Sequence, residues 1–429
     1  MVIRTALTAA AIAGVTAAAG ATTVGPHVFA NSRTLPAFGA RPFVANPFNA
    51  RPFASSSTLY VFGGTLAATQ WRTWLKVSPV GCYAASGTGE AQSAFLGGGL
   101  GPTTETVTPP QTADCPAGRS GSITYPEVDF SAGDAPLSIA QNNSYHSSSA
   151  YGKRGPARVA PVAGASLSEA YHTSGLPATL AISNTQLCGI WKGSITNWDA
   201  VTNQATGKPA SAGSLPITLV YRSDGSGSTF IHTAHLNTIC AGGYGPVGTT
   251  FPVGDTGAAK KIGEVGSGGV ANEVAALSGA IGYVAPNSLV SGETSAEIEN
   301  KSGQYYSPTA SPGSITTAFT SPTDTTPPSG YPKPIIGQQV DLYLTNPSAS
   351  GSYAEVGFTY AFIYTCYPTT FGAPAANVRA KFDNTVYASN SVTQTGLVNL
   401  GSIDKSDALK VISGIQSGST FNPTTGKCS

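Results

Sequence analysis

The sequence predicts an α/β fold, and two observations support this. Short apolar segments typical of strands alternate along the chain with segments typical of helices. Groups suited to ligand binding also follow directly after two predicted strands, at residues 59–62 and 217–221. Open α/β sheets usually bind ligands at such strand ends, so both turns are candidate parts of a site.

The N-terminus has the pattern of a secretory signal. Arg4 precedes an apolar stretch of small residues at 5–19, and we expect residues 1–30 to be a signal peptide, with cleavage after Ala21 or Ala30. Residues 31–57 carry A-R-P-F twice among Pro, Ala and Asn and are interpreted as a flexible arm. The alternative is a docking peptide whose repeated phenylalanines bind a partner.

Composition agrees with an exported protein. Charged residues make up only 10% of the chain, against roughly 25% in ordinary soluble domains. A net charge of +1 gives no electrostatic reason to expect nucleic acid or an anionic membrane as a partner. Beyond the N-terminus no run of about 18 apolar residues occurs, so we expect no membrane span in the mature chain.

Six cysteines in an exported chain predict three disulfides. The number alone does not choose among the possible pairings. A metal site built from cysteines is a weak interpretation because no C-x-x-C occurs.

The most informative segment is V-Y-R-S-D-G-S-G-S-T-F at residues 220–230. Its glycines allow backbone N–H groups to converge, its hydroxyls are donors, and Arg222 can offer two parallel N–H bonds to an anion. A helix predicted at 229–236 would add the positive end of its dipole. The segment is not a P-loop, which needs a Lys after the second glycine. It is not a nucleophile elbow either, because Asp224 and Ser228 replace the two required glycines.

Companion motifs occur in order along the chain. These are F-S-A-G-D-A-P-L-S at 130–138, L-C-G-I-W-K-G-S-I-T-N-W-D at 187–199 and G-A-I-G-Y-V at 279–284, with G-G-T-L at 63–66 before them. A helix is expected at 269–277 and a strand at 280–284. Together these motifs strongly resemble the periplasmic phosphate-binding proteins of ABC importers, the PstS type. The cysteine placement and T-Q-L-C-G-I-W resemble the DING branch.

The resemblance implies a type II periplasmic binding protein fold, in which two lobes enclose a ligand cleft. One lobe would comprise residues 58–158 and 331–429, and the other residues 159–330. The Pro-rich run 307–334 would then lie near the return crossing, where irregular chain is expected. The resemblance also implies disulfides Cys188–Cys240 and Cys366–Cys428, which leaves Cys82 with Cys115 to pin an insertion at 97–120.

The residues that match the anion-binding positions of this family come from four segments. Thr88 competes with Ser86 for one position, because S-G-T-G allows a shift of two residues. The implied phosphate-binding residues are Thr65, Leu66, Ser86, Asp134, Arg222, Asp224, Ser226, Gly227 and Ser228.

Inorganic phosphate is expected rather than sulfate because of Asp134. An ionised carboxylate only accepts hydrogen bonds, so it requires a proton on the ligand, and phosphate carries one near neutral pH. Asp224 is expected to orient Arg222, or else only to cap the turn. The implied protein is a receptor that closes around phosphate and is recognised by an ABC permease, or a secreted phosphate scavenger. We expect no cofactor and no catalytic residue.

Two other classes remain open at the level of sequence. The first is a structural or adhesive extracellular protein that assembles with itself through Phe43, Phe48 and Phe53 of the arm. The second is an enzyme such as a phosphatase, which is weaker because no His, Cys or metal-ligand cluster accompanies the serines. His232 and His235 lie three residues apart, but the sequence shows no ligand set beside them, so no metal site is predicted.

Overall fold

The computed structural model describes residues 58–107, 113–115, 117–118, 121–257, 259–320, 327–335, 338–340, 343–369 and 374–429. The predicted signal peptide and the arm lie outside these ranges. Within the described ranges, no helix combines the length and apolar character that a membrane span needs.

The strands, in chain order, are β1 Leu59–Gly63, β2 Gly81–Ala85, β3 Thr103–Val107, β4 Ala113–Asp114, β5 Ala117–Gly118, β6 Gly121–Tyr125, β7 Phe130–Gly133, β8 Arg158–Ser166, β9 Ser168–His172, β10 Ala181–Ile182, β11 Thr202–Asn203, β12 Lys208–Pro209, β13 Thr218–Arg222, β14 Lys260–Glu264, β15 Ala280–Val284, β16 Glu293–Ser295, β17 Glu297–Glu299, β18 Tyr305–Tyr306, β19 Val356–Ile363, β20 Cys366–Tyr367, β21 Leu397–Val398, β22 Gln416–Ser417, β23 Phe421–Asn422 and β24 Lys427–Cys428.

The α-helices are α1 Ala68–Leu75, α2 Thr88–Leu96, α3 Ile139–His146, α4 Ser149–Arg154, α5 Asn184–Trp191, α6 Gly227–Ile239, α7 Gly266–Ala276, α8 Gly313–Ala318, α9 Ala375–Lys381 and α10 Ser402–Ser413. A π-helical turn, Phe382–Val386, continues α9, and short 3₁₀ helices lie at Trp198–Ala200, Val253–Thr256 and Pro286–Ser288. Ser138 and Ser183 begin α3 and α5 with capping boxes, in which each serine and a glutamine three residues later satisfy free N–H groups.

The larger sheet has the strand order β21-β8-β19-β7-β1-β2-β4-β5. Its centre is parallel, because β1 pairs in parallel with both β2 and β7, whereas β19 runs antiparallel to β7 and β8. Trp71 and Trp74 of α1 pack in a buried group with Phe130 of β7 and Phe382. This packing fixes α1 against the carboxyl end of β1, where the G-G-T-L turn lies.

The second sheet has the order β14-β13-β15-β9-β16, with β13 parallel to β14 and β15. Trp191 and Trp198 are fully buried in this half of the molecule. Trp198 donates its indole N–H to the carbonyl of Gly279, 2.9 Å away, just before β15. The two tryptophans therefore pack the second half of the molecule.

The chain passes between the two sheets at two adjacent places. β8 belongs to the larger sheet and leads through Leu167 into β9 of the second, while β19 returns directly after Glu355. The Leu167 N–H donates to the Glu355 carbonyl at 3.1 Å, so the crossings are hydrogen-bonded to each other. The lobe boundaries expected at 158 and 331 stay predictions: β8 pairs with β19 inside the larger sheet, and the Val340 N–H donates to the Val159 carbonyl at 2.8 Å.

The segment 307–334 contains more regular structure than the Pro-rich composition suggested. Residues Gly313–Ala318 form α8, which follows Pro312. Ile315 and Ala318 of this helix are buried, so apolar burial stabilises a turn of helix between prolines.

Three disulfides join Cys82 to Cys115, Cys188 to Cys240 and Cys366 to Cys428. The last two are the pairs that the family resemblance implied, the first is the pair that those two leave, and all six cysteines are used. The second bridge ties α5 to the C-terminal end of α6 and closes a loop with a sequence separation of 52.

We expect the double substitution Cys188→Ala with Cys240→Ala to lower the free energy of unfolding by about 3 to 4 kcal/mol, because the unfolded chain regains the entropy of a long loop. Urea denaturation followed by tryptophan fluorescence measures this difference. The Cys366→Ala with Cys428→Ala variant is the matched control, with a similar separation of 62. A loss below about 1 kcal/mol in the first variant would contradict the expectation.

Candidate functional site

The larger sheet contributes three turns to the candidate site, each at the end of a parallel strand. Thr65 and Leu66 follow β1, Ser86 follows β2, and Asp134 follows β7. Leu66, Ser86 and Asp134 are buried. Because the three strands are parallel neighbours, their carboxyl ends bring these residues to one edge of the sheet.

Asp134 is the buried carboxylate of this edge, with only 2% of its surface exposed. Its backbone N–H donates to the Thr88 hydroxyl at 3.3 Å, and its side chain lies against Gly64. Burial raises the pKa of Asp134 to about 7, although the Thr359 hydroxyl and the charge of Arg222 both lower it. Asp134 can therefore hold or release a proton near neutral pH.

Arg222 ends β13 in the second sheet and is 2% exposed. Its Nε and Nη2 groups donate to the two carboxylate oxygens of Asp224 at 2.6 and 2.5 Å. Burial alone would lower the pKa of Arg222, but Asp224 raises it above its ordinary value. Burial would likewise raise the pKa of Asp224, and Arg222 brings it below its ordinary value. This pair stays ionised, and the guanidinium retains donors for a second anion because it has more N–H groups than Asp224 occupies.

The turn after Arg222 runs directly into α6, the longest helix that the structure describes. Ser226 is the N-cap residue, and its hydroxyl accepts from the Thr229 N–H at 3.3 Å. Gly227 and Ser228 are the first two helical residues, so their N–H groups have no partner within the helix and lie at its positive end. The sequence predicts an anion at this place, and the local geometry suits one.

Several polar atoms of the two edges are buried without a hydrogen-bond partner among the described residues. They include the Ser86, Ser228 and Ser267 hydroxyls, Oδ1 of Asp134 and Oε2 of Glu90. Buried polar groups are normally hydrogen-bonded, so these groups are available to a ligand. Hydroxyl donors beside a carboxyl acceptor suit an oxyanion that carries a proton.

The two edges touch each other directly. The Gly89 N–H donates to the Gly225 carbonyl at 2.9 Å, and the Ser267 N–H donates to the Thr65 hydroxyl at 3.4 Å. A Cβ atom placed on Gly227 would lie 2.5 Å from Cβ of Asp134. The cleft between the two sheets is therefore closed, and Gly227 is required for the close approach.

Three polar residues at the site were not assigned from the sequence. Ser267 lies in the first turn of α7 and contacts Thr65. Glu90 of α2 has a pKa raised by burial and by the nearby Asp224. The Tyr283 hydroxyl contacts the Thr229 hydroxyl at 2.7 Å and accepts from the Arg222 N–H at 3.1 Å. Of these three residues, only Tyr283 belongs to a motif that is recognisable in the sequence, G-A-I-G-Y-V.

Their hydrogen bonds distinguish Ser86 from Thr88 as candidates for contact with the ligand. Thr88 already accepts a hydrogen bond from Asp134, whereas the Ser86 hydroxyl has no partner among the described residues. Ser86 is thus the better candidate for ligand contact, with Thr88 holding Asp134. The nine assigned residues stay predictions as ligands, and the structure places them on two edges that meet.

One group among the described residues could hold a metal ion. Glu169, His232 and Glu355 are buried and offer ligand atoms within 4.8 Å of one another. The sequence showed no ligand set beside His232, because both glutamates are distant in the chain and only folding brings them there. His235 is not part of this group.

Two sheets joined by two crossings, with the candidate anion-binding residues on facing edges, define a two-lobed binding protein of the type II class. Residues 75–378 match the model of the PBP superfamily domain, and the chain belongs to this superfamily. The predicted fold class and the family resemblance are confirmed.

Among the similar proteins is alkaline phosphatase L of Pseudomonas aeruginosa, which is 28% identical over 350 residues, 80% of this chain and 84% of that protein. The phosphate-binding protein PstS of Xylella fastidiosa is 30% identical over 135 residues, 31% of this chain and 36% of that protein. The structure of PfluDING, a high affinity periplasmic phosphate-binding protein bound with phosphate, has a TM-score of 0.62 at 24% identity and covers 81% of this chain and 92% of its own.

Proposed function

We propose that this protein binds inorganic phosphate between its two lobes and closes around it. The observation that carries the proposal is the set of unpartnered buried groups, Ser86, Asp134 and Ser228, on edges that also hold Arg222 and the N-terminus of α6. The phosphate-binding relatives support the same ligand.

The cellular role that fits is an exported receptor of a phosphate ABC importer or a secreted phosphate scavenger. The signal-like N-terminus and the family membership support export. The structural or adhesive alternative depends on the phenylalanine arm, which lies outside the described residues, and the comparisons do not favour it.

We propose further that the protein is not an enzyme, although one relative is named alkaline phosphatase L. None of the serine hydroxyls at the described site is hydrogen-bonded to a histidine, so no serine is activated as a nucleophile. Incubation with p-nitrophenyl phosphate tests this, and steady release of nitrophenolate that Arg222→Ala abolishes would contradict it.

Small-angle X-ray scattering of the anion-free protein tests binding by closure. We expect the radius of gyration to fall when inorganic phosphate is added, because the anion bridges the two lobes. Native mass spectrometry of the same sample should show one phosphate per chain. A protein that retains no phosphate would overturn the proposed function.

We expect Gly227→Ala to weaken phosphate binding by about 2 to 3 kcal/mol, because the added methyl group would clash with the backbone and Cβ of Asp134 across the cleft. Gly213→Ala is the matched control, since a Cβ there meets nothing within 4 Å. Calorimetry with phosphate compares the two variants. Equal affinities would show that the lobes do not close at Gly227.

A further inference from the structure

The buried cluster of Glu169, His232 and Glu355 joins three elements. Glu169 lies on β9 just after the first crossing, Glu355 lies just before β19 at the second, and His232 lies on α6. All three side chains are fully buried. Nδ1 of His232 lies 2.8 Å from Oε1 of Glu355 and 3.1 Å from Oε1 of Glu169, so one ring nitrogen contacts both carboxylates.

The cluster lies where the chain must bend if the lobes move. The backbones of Leu167 and Glu355 are hydrogen-bonded at 3.1 Å, and the Tyr353 hydroxyl donates to the Leu167 carbonyl at 2.6 Å. Hinge motions in two-lobed proteins are absorbed by a few residues at such crossings. The position of Glu169 and Glu355 relative to each other therefore depends on the angle between the lobes.

The same cluster contacts the anion-binding turn through one aromatic ring. The His232 ring stacks on Tyr283 with ring centroids 4.3 Å apart and an angle of 15° between the planes. The Tyr283 hydroxyl contacts the Thr229 hydroxyl and accepts from the Arg222 N–H. A continuous set of packed groups thus connects the crossings to Arg222.

Charge gives the cluster its strength. Burial would lower the pKa of His232, but the carboxylates of Glu169 and Glu355 raise it to about 9. Burial and the neighbouring Glu169 raise the pKa of Glu355. The His232 ring lies between the two buried carboxyl groups, and the Trp191 indole N–H donates to Oε2 of Glu169 at 3.2 Å. Burial lowers the pKa of His235 to about 4, so this neighbour on α6 stays neutral. The other titratable groups that act on the cluster are Tyr244, Tyr283 and Tyr353.

We propose that Glu169, His232 and Glu355 are positioning residues that clamp α6 onto both crossings and so hold the closed cleft. The proposal rests on the proposed function, because closure is measured through phosphate. Without the His232 ring, two buried carboxyl groups lose the hydrogen-bond partner that they share, and the closed arrangement loses stability relative to the open one.

The test compares phosphate binding in variants that remove an ionisable group of the cluster and keep a polar side chain in its place. We expect Glu355→Gln and His232→Asn each to raise the Kd for phosphate by about tenfold or more, which is a typical coupling between two sites. The Glu293→Gln variant is the matched control, because Glu293 is also buried in the second lobe, with a pKa raised to about 7, but contacts Val290 instead of the crossings. Its Kd should equal that of the wild type.

Hydrogen exchange separates clamping from a merely structural role. The Leu167 N–H donates to the Glu355 carbonyl at the crossings, so its exchange with phosphate bound should speed up in Glu355→Gln. In Glu293→Gln the exchange at Leu167 should equal that of the wild type.

Unchanged affinity in both cluster variants, or unchanged exchange at Leu167 in Glu355→Gln, would overturn the proposal. One tightly bound metal ion per chain, found by elemental analysis, would also overturn it, since the ion would replace the proton. If the wild-type protein does not bind phosphate, the proposed function is wrong, whatever the role of the cluster. The clamp is then tested by hydrogen exchange at Leu167, which should speed up in Glu355→Gln and not in Glu293→Gln.

Discussion

Replacing Arg222 with alanine should weaken phosphate binding by about 2 to 5 kcal/mol, the usual cost of truncating one partner of a buried charged pair. The substitution removes the guanidinium from a site where it is 2% exposed and leaves Asp224 without its cation. Calorimetry with inorganic phosphate measures the loss. The binding free energy of sulfate should fall by a similar amount, because Arg222 binds negative charge whether or not the anion carries a proton.

The Arg72–Asp114 pair provides the matched control. Its N–O distance is 2.8 Å, but both side chains are partly exposed, so solvent screens the interaction. Arg72→Ala should therefore leave phosphate affinity unchanged. If Arg222→Ala bound phosphate as tightly as Arg72→Ala, the anion site would not be at this turn.

Replacing Asp134 with asparagine should reduce the preference for phosphate over sulfate by about 10²-fold or more. A site whose buried carboxylate hydrogen-bonds a proton of the ligand strongly rejects a ligand without that proton. The amide removes the negative charge that repels a fully ionised ligand and supplies a donor in its place. Competition of sulfate against bound phosphate measures the preference. Asp224→Asn is the control, and we expect it to weaken the binding of phosphate and of sulfate by similar factors.

The same carboxylate sets the direction of the pH effect on selectivity. Burial raises the pKa of Asp134 to about 7, so below that pH the carboxyl holds a proton and no longer repels sulfate. The preference for phosphate should therefore narrow as pH falls and widen as it rises above about 7. In Asp134→Asn the preference should not change with pH in this range, apart from the ionisation of phosphate itself.

Local pattern predicted the elements that carry the site. The strand expected at 280–284 is β15 with those bounds, and the strand at 217–221 differs from β13 by one residue at each end. The helix expected at 229–236 begins earlier, at Gly227, because the Ser226 hydroxyl caps it. The turn residues Arg222, Ser226 and Ser228 thus follow from local chemistry.

Contacts between distant segments could not be read from the sequence. Ser267 follows β14, whose K-K-I-G-E sequence has little apolar character, so neither the strand nor the turn after it was recognisable. Glu169 and Glu355 reach His232 only because the two crossings lie side by side. Such groups are set by tertiary packing, which overrides local propensity.

The central claim is that a closing cleft selects phosphate by its proton. Calorimetric titration of the anion-free wild type with phosphate, and then separately with sulfate at pH 8, tests it most directly. The account predicts one phosphate bound per chain and a sulfate affinity weaker by about 10⁴-fold. Equal affinity for the two anions, or no heat with phosphate, would contradict it.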